Sequence, residues 1–300
     1  MPSSRQSWPR QFARSLLGLY RPQAVQAALT PAADRTTGVR QWEPTVAESK
    51  AVESIRKNPS SLFEAMKWSP DPWQREYLGT TGQRTLLLCC RRAGKSVTSA
   101  ARTLAHCLTN RDALAMVFTP TLRQSMEYVR HVRLFDRAAG QPVKVERSAG
   151  TILEWANGSR LMALPDRQQG VVGFTPTKIV IDEASRVSDV LYLSLRPMLA
   201  LGRAELELLS TPFGKRGFFF DIVNTPARAA RFRQWQVPAS RCPRISREFL
   251  AEEMVELGER WYRQEYDLAF NDSVDSVFTA SVIEAAMRRT AIGPLFDLGA

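Results

Sequence analysis

Residues 89–96 read Cys-Cys-Arg-Arg-Ala-Gly-Lys-Ser, and the last three have the types and order that bind phosphate groups. In such a loop the backbone N–H groups and a lysine surround the phosphates, while a serine hydroxyl helps to hold Mg²⁺. Gly-Lys-Ser alone is a weak signal, but here a predicted strand precedes it and a helical pattern begins at Lys95. Phosphate binding at a helix N-terminus needs this order of strand, loop and helix. The alternative is a basic helix start after a buried strand.

Two features of this loop are unusual. Cys89 occupies the position of the first glycine in the usual pattern, and Arg91 and Arg92 lie inside the loop. Because a guanidinium is always charged and matches phosphate geometry with two parallel bonds, Arg91 is a candidate for stabilising charge on a departing phosphoryl group. Arg92 is a competing candidate, and its alternative role is to pair with a surface carboxylate or a DNA phosphate.

An apolar run, Ile179-Val180-Ile181, ends in Asp182 and Glu183. Such a run is typical of a strand buried on both faces of a parallel sheet. Open α/β sheets bind their ligands at the carboxyl ends of the strands. We therefore expect Asp182 to hold Mg²⁺ and Glu183 to activate a water molecule. The alternative is an exposed helix N-terminus, because Ala184 and Ser185 can begin a helix.

Two further segments offer contacts to a nucleotide. Ser210 and Thr211 end the next predicted strand, where their hydroxyls can sense a terminal phosphate. The alternative for this pair is an ordinary strand-to-loop turn. Trp73 and Gln74 lie upstream of the first strand, in a segment that we expect to be a loop. There they can stack on and hydrogen-bond an adenine, although side-chain packing is a common reason for these residue types.

The pattern of elements around these motifs predicts an α/β domain with a mostly parallel sheet flanked by helices. Asn157-Gly158, between two short strands, predicts a hairpin with a type I′ turn, and one long helix is expected over residues 246–270. The other predicted helices are 47–57, 95–108, 122–138 and 189–201, and the predicted strands are 85–90, 114–119, 151–155, 160–164, 178–182 and 205–210.

Composition narrows the class of partner. The chain has 300 residues, of which 44% are hydrophobic, so it can bury a full α/β core. Its formal charge of +11 favours a polyanion such as DNA or RNA. Four scattered cysteines predict reduced thiols rather than a disulfide scaffold. No apolar stretch approaches the ~18 residues of a membrane span, and no secretory signal is present, so we expect no membrane association.

Together these motifs resemble the large terminase subunit of tailed bacteriophages or prophages. Terminases use a deviant P-loop that contains arginine and has no strict first glycine, so Cys89 is similar to the family pattern. The resemblance covers roughly residues 60–280 and implies a P-loop NTPase fold of the ASCE/RecA-like class. It is carried by Gln74 and by residues 91–96, 179–183, 210–214, 261–266 and 277–278.

The resemblance implies ATP and Mg²⁺ as cofactors and assigns roles to individual residues. It implies that Arg91 acts in cis as an arginine finger, that Glu183 activates water, and that Asp182 holds Mg²⁺ together with Ser96. The implied nucleotide contacts are Gln74 to adenine, Arg92, Ala93, Gly94, Lys95 and Ser96 around the phosphates, and Ser210 and Thr211, which couple hydrolysis to movement.

The resemblance also implies an organisation and partners. We expect a flexible basic arm over residues 1–45, an ATPase motor domain over 46–245 and a helical lid or linker over 246–290. Residues 291–300 look like the first strand of an RNase H-like nuclease, with Asp297 at its first metal-binding carboxylate. The chain is then a truncated or split gene product, or the likeness is a coincidence, and in both cases we expect no endonuclease activity from this chain alone. The implied partners are double-stranded DNA, a portal protein and a small terminase subunit, with a homo-oligomeric ring as the working form in the cytoplasm of a bacterial host.

One segment is rich in arginine. Arginines 228, 231, 233, 241, 244 and 247 can follow a DNA backbone or form a solvated surface.

Two other functions are compatible with these motifs. A helicase-like DNA-dependent ATPase would share the P-loop and the Asp-Glu-Ala sequence, but it usually needs a second motor domain. An inactive prophage remnant that binds DNA or partners is the other rival.

Overall fold

A computed structural model of the protein describes residues 44–80, 84–166, 173–200 and 204–272. The expected arm up to residue 43, residues 277–278 of the resemblance, and the nuclease-like ending with Asp297 lie outside the described residues.

The order of helices and strands follows the predicted alternation. The helices are α1 (Val46–Lys57), α2 (Ser61–Ala65), α3 (Pro72–Leu78), α4 (Lys95–Thr109), α5 (Leu122–Ala138), α6 (Asp189–Leu195), α7 (Gly217–Asn224), α8 (Pro226–Ala229) and α9 (Arg247–Glu265). The strands are β1 (Arg84–Cys89), β2 (Leu114–Thr119), β3 (Val145–Ala149), β4 (Ile152–Trp155), β5 (Arg160–Pro165), β6 (Lys178–Asp182), β7 (Glu205–Ser210) and β8 (Arg233–Val237).

All eight of these strands form one sheet in the order β3-β4-β5-β2-β6-β7-β1-β8. Six neighbouring strands, namely β5, β2, β6, β7, β1 and β8, run parallel to one another. Strand β4 pairs antiparallel with β5, and β3 pairs antiparallel with β4. In the central strands β2 and β6 every residue is buried, as expected for strands covered on both faces. The α/β fold with a mostly parallel sheet flanked by helices is confirmed.

Register within the sheet aligns the strand ends that carry the motifs. Strand β7 lies between β1 and β6, with Ser210 beside Leu88 of β1 and Leu209 beside Asp182 of β6. The phosphate-loop strand and the carboxylate strand are therefore separated by one strand, whose end supplies Ser210. The motif residues at the ends of β1, β6 and β7 therefore lie at one edge of the sheet.

Local signals explain where several helices begin. Thr45, Thr121, Ser188 and Ser246 precede α1, α5, α6 and α9, and each side-chain oxygen accepts a hydrogen bond from a backbone N–H of the first turn. Such caps satisfy N–H groups that have no partner within the helix. None of the helices in the described part of the chain combines the length and apolar character that a membrane crossing requires.

The sequence reading missed β3 and β8. The side chains of β3 are mostly exposed, so the strand carries no buried apolar run. In β8 the alternating pattern Arg-Gln-Trp-Gln-Val buries only Trp235 and Val237. Both strands lie at the edges of the sheet, where burial on two faces is not required.

Two local predictions were wrong in detail. The hairpin is present, but its turn is not type I′, because only Gly158 has a positive φ (81°). Gly158 N–H donates to Trp155 O and Trp155 N–H donates to Ser159 O, which is a three-residue loop with a glycine bulge. The expected helix over 246–270 ends at Glu265 and is interrupted at Gly258, whose φ of 71° and ψ of 160° are not helical.

A buried ion network lies where β6 and β7 begin. The Lys178 side chain is fully buried, and its Nζ lies 2.8 Å from Glu207 Oε2 and 3.1 Å from Glu205 Oε2. Arg102 of α4 contacts both carboxylates, at 3.4 and 3.5 Å. The strand β6 therefore begins with a buried lysine before its apolar run, and the two cations Lys178 and Arg102 offset the negative charges of Glu205 and Glu207.

Candidate active site

The phosphate loop leaves β1 at Cys89 and enters α4 at Lys95. Cys89 is fully buried and pairs in register with Val237 of β8, and its φ is not positive. This position is therefore ordinary strand and does not require glycine. The left-handed conformations come later, at Arg92 (φ 64°) and Gly94 (φ 88°). Burial raises the pKa of the Cys89 thiol, so the side chain stays neutral.

Lys95 and Glu183 are brought together by the folding of β1 and β6 into one edge. Lys95 Nζ lies 2.7 Å from Glu183 Oε1, with side chains 10% and 20% exposed. Burial disfavours the Lys95 charge, but the carboxylates of Glu183 and Asp182 outweigh it and raise the lysine pKa. Glu183 has a φ of 53°. This left-handed backbone costs roughly 1–2 kcal/mol in a non-glycine residue, and strain of this kind clusters at functional sites.

Asp182 is buried at the end of β6. Its Oδ1 accepts a hydrogen bond from Glu183 N–H at 2.9 Å, and the neighbouring Ser96 side chain lowers its pKa. Burial and the charge of Glu183 raise the pKa of Asp182 to about 7. Because burial disfavours an ionised carboxylate, a bound cation would stabilise the charged form of Asp182.

Hydroxyl groups at the end of β7 connect this strand to Glu183. Ser210 Oγ and Thr211 Oγ1 each lie 3.5 Å from Glu183 Oε2. Ser185, two residues after Glu183, donates its N–H to Ser210 Oγ at 3.1 Å and its hydroxyl to Thr211 O at 2.8 Å. The predicted pair Ser210-Thr211 therefore contacts both Glu183 and Ser185.

These residues surround a cleft of about 950 Å³ that Arg91, Lys95, Glu183 and Thr211 help to line. The Arg91 side chain is 63% exposed, and its Nη1 lies 3.1 Å from Glu265 Oε2 at the end of α9. Arg91 N–H also donates to Glu265 O at 2.7 Å. Arg92 lines a neighbouring groove and not this cleft. The structure thus places Arg91, but not Arg92, beside Lys95 and Glu183.

A second pocket, of about 720 Å³, adjoins the phosphate loop at Gly94 and is also lined by Gln74 and Trp68 among others. Gln74 is in helix α3 and not in a loop as expected, because Pro72 begins that helix. Its Oε1 accepts from Asp71 N–H at 2.8 Å and its Nε2 donates to Thr98 Oγ1 at 2.9 Å. Trp73 is buried and does not line the pocket; its aromatic lining residues are Phe63, which is buried, and Trp68, which is exposed.

The arginines of residues 225–250 have different partners. Arg228 pairs with Asp221 and Arg233 with Glu76, while Arg241 donates to a backbone carbonyl of β8. Arg244 instead reaches the phosphate loop, where Nη2 donates to Ala93 O at 2.8 Å. Whether the segment follows a DNA backbone or forms a solvated surface stays a prediction.

Comparison with known protein families agrees with this geometry. A family profile described as terminase large subunit, T4likevirus-type, N-terminal, matches residues 86–284. The chain belongs to the terminase large subunit family. The matched region contains the phosphate loop, the Asp182-Glu183 strand end and the β7 hydroxyls. No curated protein sequence gives a significant match.

Solved terminase structures share the fold. The ATPase domain of the Thermus phage P74-26 large terminase is 19% identical, with a TM-score of 0.60, over 71% of this chain and 99% of that domain. The large terminase of a thermophilic bacteriophage, solved in complex with ADP, is 10% identical, with a TM-score of 0.55, over 75% of this chain and 53% of that one. The HK97 bacteriophage large terminase is 14% identical, with a TM-score of 0.53, over 66% of this chain and 50% of that one.

Several residues of the terminase cleft escaped the sequence reading. Gln124 lines it from the first turn of α5, and Arg186 and Arg216 add positive charge. The Arg186 guanidinium lies 3.8 Å from the centre of the Phe213 ring. Arg186 follows Glu183 by three positions, and this proximity to the carboxylates was the available signal.

Proposed function

We propose that this terminase chain hydrolyses ATP with Mg²⁺ and uses the reaction to move double-stranded DNA into a procapsid. One observation carries the proposal: Lys95 of the phosphate loop contacts Glu183 at 2.7 Å within one large cleft. A lysine for phosphate and a carboxylate for water thereby lie within reach of a single reacting group.

The chain's own residues fit a nucleotide-bound Mg²⁺. Ser96 lies close enough to Asp182 to lower its pKa, and a hydroxyl and a carboxylate supply oxygen ligands of the kind that Mg²⁺ prefers. No group of three or more His, Cys, Asp or Glu in the described ranges can hold a metal by itself. A site that shares the cation with substrate phosphates has this composition. When bound, the ion neutralises charge that develops on the phosphates.

The proposed reaction begins with a change of partner for Lys95. Lys95 leaves Glu183 for a phosphate oxygen, and the released carboxylate accepts a proton from the attacking water. Ser210 and Thr211, 3.5 Å from Glu183, relay that movement to β7. Arg91 leaves Glu265 and turns toward the departing phosphoryl group. Its guanidinium then stabilises the negative charge on that group.

The nucleotide base is proposed to lie in the pocket beside Gln74. Gly94 of the phosphate loop lines this pocket and the next residue, Lys95, lines the cleft, so one nucleotide is proposed to extend past the loop from the cleft to the pocket. The large terminase of the thermophilic bacteriophage was solved with ADP and with ATP-gamma-S. In this chain Gln74 would hydrogen-bond adenine, and Trp68, 45% exposed, would cover its ring.

The remaining proposals concern DNA, partners and domains. Arg84, Arg196, Arg228 and Arg231 surround a pocket of about 340 Å³, and we propose that it contacts DNA phosphates. Replacing one arginine that binds a phosphate should lower the slope of log affinity against log salt concentration by about 0.9. We further propose a motor domain over 46–245 and a lid or linker over 246–290, working as a ring with a portal protein and a small subunit in the cytoplasm of the host cell.

Three measurements on the wild-type chain test the proposal. Equilibrium binding of ATP, phosphate release with and without duplex DNA, and strand separation on a forked duplex should give binding, DNA-stimulated release and no separation. Binding without release would support the inactive remnant instead. Release accompanied by strand separation would support a helicase-like ATPase, and absence of ATP binding would exclude both enzymatic schemes.

A further inference from the structure

A closed circuit of hydrogen bonds holds the back of the phosphate loop. Arg244, which follows β8 in the chain, donates from Nη2 to Asp71 Oδ2 and to Ala93 O, both at 2.8 Å. Its Nε lies 3.2 Å from each Asp71 oxygen. Asp71 is only 6% exposed, so the arginine is the cation that compensates a buried carboxylate.

The circuit continues through the helices on either side of the loop. Asp71 N–H donates to Gln74 Oε1 at 2.8 Å, and Gln74 Nε2 donates to Thr98 Oγ1 at 2.9 Å. The Thr98 hydroxyl then donates to Gly94 O at 2.9 Å. Two successive loop carbonyls are therefore fixed, one by an arginine from beyond β8 and one by a threonine of α4.

Fixing these carbonyls also fixes the N–H groups that follow them. The C=O and N–H of a planar trans peptide point in opposite directions, and no cis peptide occurs in the described residues. With Ala93 O and Gly94 O drawn to the back of the loop, the N–H groups of Gly94 and Lys95 point the other way. Backbone N–H groups in a phosphate loop are the donors that surround the phosphates.

Space at the loop agrees with a closely fitted support. A Cβ built on Gly94 would lie 2.9 Å from Gln74 Nε2 and 3.3 Å from Arg244 Nη2. The two side chains of the circuit therefore pack directly against the glycine, and both also line the pocket proposed for the base. A lysine in place of Arg244 carries one nitrogen and cannot reproduce a bidentate contact to Asp71 together with a bond to Ala93 O.

We propose that Arg244 is a positioning residue for nucleotide binding, which holds the phosphate loop in its binding conformation through Ala93 O and Asp71. The inference rests on the proposed function, since it presumes that this loop binds a nucleotide. Because loop N–H groups contact the phosphates in the ground state and in the transition state alike, the effect of Arg244 falls on affinity more than on kcat.

The test compares the variants Arg244→Met and Arg244→Lys with the control variant Arg241→Met. Arg241 is a nearby arginine that donates a hydrogen bond to Gln236 O and does not contact the loop. Affinity is measured for ADP by calorimetry and for ATP as KM. Loss of one charge-assisted hydrogen bond predicts about tenfold weaker ADP binding and an equal rise in KM for Arg244→Met. We expect kcat to change less than about threefold, Arg244→Lys to be intermediate, and Arg241→Met to match wild type.

The double variant Asp71→Asn/Arg244→Met separates positioning from stability. It removes the buried charge that Arg244→Met leaves unpaired, so it should regain thermal stability but not ADP affinity. Recovery of wild-type affinity in the double variant, or wild-type affinity in folded Arg244→Met, would overturn the inference. Failure of wild type to hydrolyse ATP would instead refute the proposed function, and the ADP titrations would still decide the role of Arg244.

Discussion

Replacing Glu183 with glutamine should tighten ATP binding while slowing hydrolysis, which is the opposite of what removing a substrate-binding group would do. In the structure Lys95 Nζ contacts Glu183 Oε1 at 2.7 Å, and both side chains are largely shielded from water. In the proposed reaction Lys95 exchanges this contact for a phosphate oxygen. Glutamine keeps the shape of the side chain but removes its charge.

The structure sets the size of both effects. A hydrogen bond to a charged group contributes about 1.5–3 kcal/mol, and about 1.4 kcal/mol corresponds to tenfold in affinity. Since the glutamine oxygen still accepts a weaker bond from Lys95, we expect the lower end, about tenfold tighter binding of ATP. Glutamine also removes the proposed base for the attacking water, so turnover should slow by about 10²–10⁴-fold.

The assay pairs equilibrium binding of a fluorescent ATP analogue with single-turnover phosphate release. Glu259→Gln is the matched control, because that side chain is 78% exposed and pairs loosely with Arg263 at 3.7 Å. The control should behave as wild type in both measurements. Weaker ATP binding by Glu183→Gln, or hydrolysis at the wild-type rate, would refute the idea that Lys95 exchanges Glu183 for phosphate.

Three further predictions follow from packing and charge. Gly94→Ala should weaken nucleotide binding at least about tenfold, whereas Gly140→Ala, with a similar φ of 78° and open space around it, should not alter binding in the same calorimetric titration. Burial raises the pKa of Asp136 to about 6. The folded state therefore retains a proton that the unfolded state has released, and stability falls as the pH rises from about 4 to 6. In urea unfolding, the free energy of unfolding of Asp136→Asn relative to wild type should increase by about 2 kcal/mol between pH 4.5 and 7. Lys178→Met should lower the free energy of unfolding by about 3 kcal/mol, and Lys178→Met/Glu207→Gln should recover part of it; equal stability of the single variant and wild type would contradict this.

Much of the fold was predictable because its central strands carry apolar residues that are buried on both faces. Strands β2 and β6 were bounded correctly from the apolar runs 114–118 and 179–181, and β7 was also bounded correctly although Glu205 and Glu207 interrupt its apolar residues. Edge strands β3 and β8 carry no such signal. The break at Gly258 was also missed, because a single glycine within a helical pattern is compatible with either continuation or interruption.

The candidate site divides in the same way. Lys95, Asp182 and Glu183 were identified because each follows a strong strand pattern and chemistry restricts their types. Arg244 was grouped with a basic surface segment, since its contact with Ala93 joins residues that are far apart in the chain. Contacts of this kind depend on the path of the chain through β8, which one sequence does not reveal.

The cleft between the phosphate loop and the β6 carboxylates is proposed to hydrolyse ATP. To test this, phosphate release is measured for wild type and Lys95→Ala with ATP, Mg²⁺ and duplex DNA, and Lys57→Ala, at a lysine that is 75% exposed, is the control. We expect DNA-stimulated release by wild type and the control, and a loss of about 10²–10³-fold or more in folded Lys95→Ala. Equal release by folded Lys95→Ala and wild type would contradict the proposed hydrolysis.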